Sequence, residues 1–516
     1  MRADGTGFKR LERFRGNPDC GLTDLAKSEN GRERVWRNVP VPRQAKNATA
    51  MRIPMSRSRL FIIGWALLVA TGARADEGRP NFIVILADDL GWADLPAYGN
   101  TFHETPALDR LAAQGMRFSQ FYSAAVCSPT RSNLQSGRHE ARYGITQHIP
   151  GHRRPFAKLI DPVVPPHLPL EVETYAERLG AAGYATGYFG KWHLGGEGHN
   201  PADQGWQTVV ECQGHTVPPA LSGKAEPMRA AEFLTEKALG FIAAHRDRPF
   251  ALQVSHYAVH LPISTTPELL AKYGKKPPMP GHPSRPDYAG LLEELDQSIG
   301  AIVAAVDQAG LAGRTLIVFV SDNGGLIHDQ SGTIYTSNLP LRGEKGTIYE
   351  GGIRVPAIAR WTGTIPAGTV CRTPAQTTDW HPTFLDLAGI GTPADPPLDG
   401  VSLANLLSDP AATVDRDALF WHLPHYHHGT PASAIRRGNW KLIEQYEDDS
   451  LELYDLAGDP GESKNLAAAR PEMARELRDA LAAWRTRVGA RMPQPNPDHD
   501  PARAAERAGK GARKGR

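Results

Sequence analysis

Asn81-Phe82-Ile83-Val84-Ile85-Leu86-Ala87-Asp88-Asp89 is the stretch whose reading decides the fold. An uncharged run rich in β-branched residues reads as a strand buried on both faces, the pattern of a parallel sheet. It ends abruptly in two adjacent carboxylates. Open α/β sheets bind ligands at the carboxyl ends of their strands, and two neighbouring acids there repel unless a cation is present. The ordinary alternative is a solvated acidic turn. Later stretches repeat the design. Residues 184–189 run into Gly190-Lys191-Trp192-His193-Leu194-Gly195, residues 250–255 into His256 and His260, and residues 315–320 into Ser321-Asp322-Asn323-Gly324-Gly325. Helical patterns lie between them, one opened by Thr105-Pro106 and ending near Gly115, another over 288–309 and closed by Gly310. The alternation predicts an α/β protein with a large, mostly parallel sheet between helices.

A second stretch carries the chemistry: Cys127-Ser128-Pro129-Thr130-Arg131-Ser132-Asn133-Leu134-Gln135-Ser136-Gly137-Arg138. Ser128 reads as an N-cap, Pro129 as the first helical residue and Gly137 as the stop. Cys127 then stands just before a helix N-terminus, where amides and dipole favour an anion, and Arg131 can point back at the same spot. Together they suggest a site for an oxyanion such as sulfate or phosphate. Taken alone, Cys127 would as readily be a buried thiol.

The charged clusters sort by chemistry. A hard divalent cation wants carboxylate and amide oxygens, and Asp88, Asp89, Asp322 and Asn323 supply them from two strand ends. The expected ion is Ca²⁺, with Mg²⁺ as the alternative. Arg131, Lys191 and Lys345 add fixed positive charge around a bound group, and His193 and His260 titrate in the range suited to proton transfer. Lys345 lies in Leu341-Arg342-Gly343-Glu344-Lys345-Gly346-Thr347, whose glycines indicate a loop with close backbone approach; by itself it would pass for a surface lysine.

Composition sets the bounds. The chain has 516 residues, 41% of them hydrophobic and 22% charged, with a formal net charge of +2, so nothing favours nucleic acid or a membrane surface. Cys20, Cys127, Cys212 and Cys371 are too few for a disulfide scaffold; Cys212 and Cys371 are a possible pair or two free thiols. Arg57-Ser58-Arg59, the short apolar run 60–70 and Ala73-Arg74-Ala75 form a secretory signal pattern over 51–75. Residues 1–50 are polar, basic and unpatterned and read as a non-native extension or a disordered stretch, with Met51 or Met55 as the expected start. A periplasmic or secreted location is expected, with membrane attachment only if the signal segment stays uncleaved. Residues 80–400 form the expected catalytic domain. Residues 401–490 form a small C-terminal α+β subdomain, with antiparallel strands over 432–443 and 451–456 and a helix over 471–488. Residues 491–516 read as a disordered basic tail. His422, His425, His427 and His428 read as a loop near the mouth of the site, with a metal site as the alternative.

These clusters together resemble the type I, formylglycine-dependent sulfatases, arylsulfatase-like members of the alkaline phosphatase superfamily. The signature Cys-x-Pro-x-Arg with a following Gly-Arg is matched at Cys127, Pro129, Arg131, Gly137 and Arg138. Asp88-Asp89 and Asp322-Asn323 match the family's two metal pairs, Lys191 and His193 its Lys-x-His element, His260 a histidine facing the leaving group and Lys345 the sulfate-binding lysine. Thr130 and Gln135 depart from the usual serine and aliphatic residue. The resemblance covers about residues 80–470 and implies an alkaline-phosphatase-like fold. It implies conversion of Cys127 to formylglycine by a formylglycine-generating enzyme, and residue 127 then also touches the metal. A hydroxyl of the hydrated aldehyde would attack sulfur, His260 with Lys345 would protonate the departing alcohol, and His193 would take a proton from the second hydroxyl to expel sulfate. A sulfated carbohydrate is the expected substrate, with Trp192, Trp206 and residues 425–428 as contacts. Two alternatives stand beside this: a phosphate or phosphonate ester hydrolase of the same fold, and a non-catalytic protein that binds sulfated glycans.

Overall fold

The computed structural model describes residues 78–329 and 331–507. The leader-like stretch 51–75, the extension before it and Cys20 lie outside the described residues.

The first strand, β1 (Asn81–Ala87), is buried throughout and sits at the middle of a nine-stranded sheet. With β2 (Met116–Tyr122), β3 (Ala185–Gly190), β4 (Thr208–Glu211), β5 (Phe250–Ser255), β6 (Thr315–Ser321), β7 (Arg354–Arg360) and β8 (Thr369–Cys371), the order is β8-β2-β7-β6-β1-β5-β3-β4. The short pair Ala375–Gln376 adds beside β2. Every pairing is parallel except those of β7, which runs against both β6 and β2. Alternate residues of β1 feed opposite cores, as a doubly covered sheet requires. Ile83, Ile85 and Ala87 pack with Phe233, Leu292 and Ile299 from the helices Ala230–His245 and Pro286–Gln308. Phe82, Val84 and Leu86 pack on the other side with Leu134, Tyr175 and Trp380.

Register brings the strand ends level. Leu86 pairs with Ser255, Ala87 with Ser321 and Gly190 with Ser255, so the residues after β1, β3, β5 and β6 emerge at one edge. Strands β2 and β7 were not expected. In β2 an intermittently polar pattern, Met-Arg-Phe-Ser-Gln-Phe-Tyr, hides the period. In β7 the strand follows without a break from a helical turn, Glu350–Ile353, inside what reads as one glycine-rich loop.

Beyond the large sheet, β9 (Leu419–Leu423), β10 (Ala432–Arg437), β11 (Trp440–Gln445) and β12 (Leu451–Asp455) form an antiparallel sheet backed by the helix Pro471–Val488. One buried lysine joins this sheet to the large one. Lys441 on β11 places Nζ 3.0 Å from Glu350 and 2.8 Å from Glu462, with all three side chains sealed from solvent. Lys441→Met would strand the Glu462 carboxylate and leave Glu350 with Arg354 at 3.5 Å and the Tyr122 hydroxyl at 2.8 Å, and a loss of about 3–5 kcal/mol is expected, read by chemical denaturation against Lys441→Arg.

The expected disorder from residue 491 does not hold for the described part. Gln494–Pro495 pairs with Leu159–Ile160, and the Asn496 and Asp500 amides bond to the carbonyls of Lys158 and Phe156. The residues lack apolar periodicity because backbone hydrogen bonds hold them. Cys127, Cys212 and Cys371 are all free and buried, so of the two readings left open for Cys212 and Cys371 the structure has two free thiols. Among the described residues no helix is long and apolar enough to cross a membrane.

Candidate active site

The helix carrying the signature runs Cys127–Ser136, two residues earlier than expected at its start. Val126 is the N-cap and Cys127 the first helical residue. Ser128 is not the cap, because its hydroxyl is engaged elsewhere: it donates to the His193 carbonyl (2.9 Å) and accepts from the Ile149 amide (3.0 Å). It thereby ties two loops to the helix start. Thr130 accepts from the Ala124 amide (3.0 Å) and pins the chain entering the helix. Gly137 ends the helix at φ 64°, a left-handed position that suits glycine.

Arg131 is the hub. Its Nε and Nη2 bond to Asp322 at 3.0 and 2.8 Å, Nη2 lies 3.5 Å from Asp88, and Nη1 donates to the Lys191 carbonyl at 2.6 Å. Lys191 Nζ pairs with Asp88, and Lys345 Nζ lies 2.6 and 2.8 Å from the two oxygens of Asp89. Asn323 donates to Asp89 at 2.8 Å, and His260 Nε2 stands 3.7 Å from it. Cys127 Sγ is 3.2 Å from His193 Nδ1. The structure therefore brings together Asp88, Asp89, Cys127, Arg131, Lys191, His193, His260, Asp322, Asn323 and Lys345. Asp89 and His193 hold positive φ, 64° and 61°, a cost non-glycine residues bear where the surrounding structure fixes them.

Three carboxylates face three fixed cations in a buried space, and the balance is uneven. Burial alone would raise Asp88, but Lys191, His260 and Arg131 hold its carboxyl well below the usual range. Burial raises Asp322, and Asp88 beside it raises it further. Asp88 Oδ1 and Asn323 Oδ1 are buried with no hydrogen-bond partner. Two orphaned oxygens, in a set of carboxylates and one amide, are what a hard dication would satisfy. The donor set fits Ca²⁺ or Mg²⁺.

The histidine tautomers follow from their partners. His193 Nε2 faces the Ile149 carbonyl at 2.6 Å, so Nε2 carries the proton and Nδ1 offers its lone pair to residue 127. Burial, helped by Lys191, lowers this imidazole to about 3, so it is neutral at physiological pH. His260 Nδ1 faces the Leu261 carbonyl at 2.7 Å, leaving Nε2 toward Asp89 and the partly open mouth.

A Sulfatase family model matches residues 80–390, more than half of the chain. The chain belongs to the sulfatase family. It is a sulfuric ester hydrolase by that membership, and its fold is the family's. A second model, the C-terminal domain of N-sulphoglucosamine sulphohydrolase, matches residues 343–487. Among relatives, a "Sulfatase" of Formosa agariphila is 30% identical over 509 residues, covering 81% of this chain and 91% of its own. Human arylsulfatase A is 33% identical, covering 80% and 89%, and dog N-acetylgalactosamine-6-sulfatase is 31% identical, covering 73% and 75%. The crystal structure of Ps i-CgsB in complex with k-i-k-neocarrahexaose superposes with a TM-score of 0.66 at 25% identity, covering 79% of this sulfatase and 92% of that chain.

Some expected contacts fall elsewhere. Trp192 and Trp206 are each 1% exposed in the core, their indole N–H groups donating to the His199 carbonyl and to Gln135, so neither reaches substrate. Gln135, the departure from an aliphatic residue, is matched by Gln253 on β5: its amide donates there at 2.7 Å, and Tyr175 donates to the same oxygen at 2.6 Å. The histidine tract splits. His422 bonds Ser433 and His425 bonds Thr146, both buried, while His428 pairs with Glu344 at 3.5 Å and His427 meets His148 and His152. Sequence reasoning passed over His148, His152 and Ile149. No local pattern marks them, because their role depends on loops that meet only in the fold.

Proposed function

We propose that this sulfatase removes sulfate from a carbohydrate monoester, with Cys127 converted to formylglycine and a divalent cation, Ca²⁺ before Mg²⁺, held by Asp88, Asp89, Asp322, Asn323 and residue 127. The observation that carries this reading is the pair of orphaned oxygens on Asp88 and Asn323, in the site where Cys127 faces His193. When bound, the cation and the aldehyde would supply charge neutralisation and a two-hydroxyl nucleophile.

The chain's own residues do the rest. Arg131 fixes Asp88 and Asp322 in one orientation. Lys191 and Lys345 place two ammonium groups over the space beside Cys127 for a sulfate's oxygens; despite burial, Asp89 and the other acids raise Lys345, so it stays charged. His193 Nδ1 accepts a proton at residue 127, with Ile149 fixing the tautomer. His260, once its Nε2 takes up a proton beside Asp89 to form the imidazolium, donates that proton to the departing oxygen. A carbohydrate is supported by the relative named for N-acetylgalactosamine-6-sulfate and by the oligosaccharide bound to the similar crystal structure. Export rests on the pattern of residues 57–75 alone.

Two results test this. Chelation followed by gel filtration is expected to lower turnover of a sulfate monoester at least about 100-fold, with recovery on Ca²⁺ addition and little turnover of the matched phosphate monoester throughout. Equal phosphate turnover would favour the other hydrolase reading. His260→Ala is expected to cost about 100-fold or more in kcat on a sugar sulfate but under about 10-fold on 4-nitrophenyl sulfate, whose leaving group needs no proton. Equal losses on both would remove His260 as the acid.

A further inference from the structure

Beside the sulfate site, outside the residues assigned to it, three histidines from two distant segments converge. His148 and His152 lie on the loop after the signature helix, and His427 on the loop after β9. Each offers a ring nitrogen, and these nitrogens lie within 4.8 Å of one another. The ring centroids are 4.4, 5.2 and 5.6 Å apart.

His427 is 5% exposed, and its Nδ1 has no hydrogen-bond partner. The Arg154 guanidinium holds the His427 carbonyl at 2.9 Å, which fixes that loop. His148 donates from Nδ1 to the Gln147 side-chain oxygen at 3.0 Å, leaving Nε2 as its lone-pair nitrogen. A side-chain acceptor on the far nitrogen is the arrangement that orients metal-ligating histidines. The approach needs glycine at 346: a Cβ there would lie 1.9 Å from His427 Nδ1, and φ is already 77°. The loop that carries Lys345 thus makes room for His427.

We propose that His148, His152 and His427 form a second metal site at the rim of the sulfate pocket, taking a borderline divalent cation of the Zn²⁺ type. The donor chemistry separates it from the first site. Three imidazoles and no carboxylate suit Zn²⁺, Cu²⁺ or Ni²⁺ and reject Ca²⁺ and Mg²⁺, which the all-oxygen site takes. Burial and neighbouring cations keep all three rings neutral, the form that ligates. Tetrahedral zinc needs nitrogens about 3.3 Å apart, within reach of small rotations of these side chains. Three protein ligands leave one position open, and His148 lies 6.4 Å, ring to ring, from His193 of the sulfate site.

The site stands independently of the sulfatase reading, and its test is set so that the two fail separately. Full-length Cys127→Ala protein, which has no thiol beside His193 to bind zinc, is stripped of metal, saturated with Ca²⁺ and titrated with ZnCl₂ by calorimetry. One equivalent of Zn²⁺ with Kd of about 10 μM or tighter is expected. His152→Ala and His427→Ala should each weaken it at least tenfold, while His428→Ala should not. Co²⁺ in place of Zn²⁺ should give the visible absorption of a four-coordinate nitrogen site, lost in the same variants. If His427→Ala does not fold, His152→Ala and His152→Gln at the half-buried position carry the comparison. Weaker binding than this, or binding that His152→Ala leaves intact, overturns the proposal.

Discussion

Cys127→Ala is expected to abolish sulfate-ester turnover, by about 10⁴-fold or more in kcat, while the protein stays folded. The two halves of this result have separate physical sources. The thiol is 2% exposed and raised by burial, against the pull of Lys191 and Lys345. A thiol held protonated and 3.2 Å from a neutral imidazole is a poor nucleophile as it stands. Under the proposed maturation, its value lies in the aldehyde that oxidation makes of it. Removing the nucleophile of a covalent mechanism costs several orders of magnitude, because the remaining charges only bind and orient. Stability should change little. Cys127 makes one contact beyond packing, and truncation to alanine removes a single sulfur, about 1 kcal/mol.

Serine at the same position separates this from a simple loss of shape. Cys127→Ser keeps volume and a hydroxyl, but a sulfated serine has no second hydroxyl to release the ester. One slow turnover with trapped sulfate on residue 127 is expected, seen by intact-mass analysis. Multiple turnover by Cys127→Ser would mean that water attacks sulfur directly and that the aldehyde is not needed. In wild-type protein from a host with the maturing enzyme, the peptide carrying residue 127 should show the mass of formylglycine. Unmodified cysteine in fully active protein would overturn the assignment.

The sequence carried the site further than it carried the fold. Asp88, Asp89, Asp322 and Asn323 stood out because each pair ends an apolar run, and the run is a local signal. Their convergence needs only that β1 and β6 be parallel neighbours in register, which they are from Asn81–Thr315 to Ala87–Ser321. Strand β7 left no such mark. Its residues follow a helical turn and its direction is reversed, and both are set by pairing with β2 and β6. The two tryptophans show the converse. Trp192 lies between Lys191 and His193 in sequence, yet its side chain points to the other side of the backbone and enters the core. The His148–His152–His427 group was illegible for a third reason: its segments are far apart in sequence, and the tract containing His427 puts two of its neighbours, His422 and His425, to purely structural use.

Arg131→Ala is the second variant with a large expected effect, and it acts on stability and activity together. The guanidinium is 1% exposed and makes contacts that no other residue can replace. It bridges Asp322 and Asp88 and also holds the Lys191 carbonyl, so it couples the strand end of β6 to those of β1 and β3. Without it, three buried carboxylates face two cations. Breaking a buried charge pair from one side costs about 3–5 kcal/mol, because the stranded partner keeps its desolvation penalty. Added Ca²⁺ should restore part of this loss, since a dication among the same oxygens replaces the missing charge. Activity should not return with it. Arg131 sets the direction of Asp322 by aiming Nε and Nη2 at one carboxylate oxygen, and a freely bound ion cannot impose that geometry. Arg131→Lys distinguishes charge from shape: one ammonium cannot bond Asp322 twice and reach the Lys191 carbonyl as well. We expect Arg131→Lys to recover over half of the lost stability by chemical denaturation, yet to stay at least about 100-fold below wild type in kcat/KM. Full activity in Arg131→Lys would show that net charge alone organises the site.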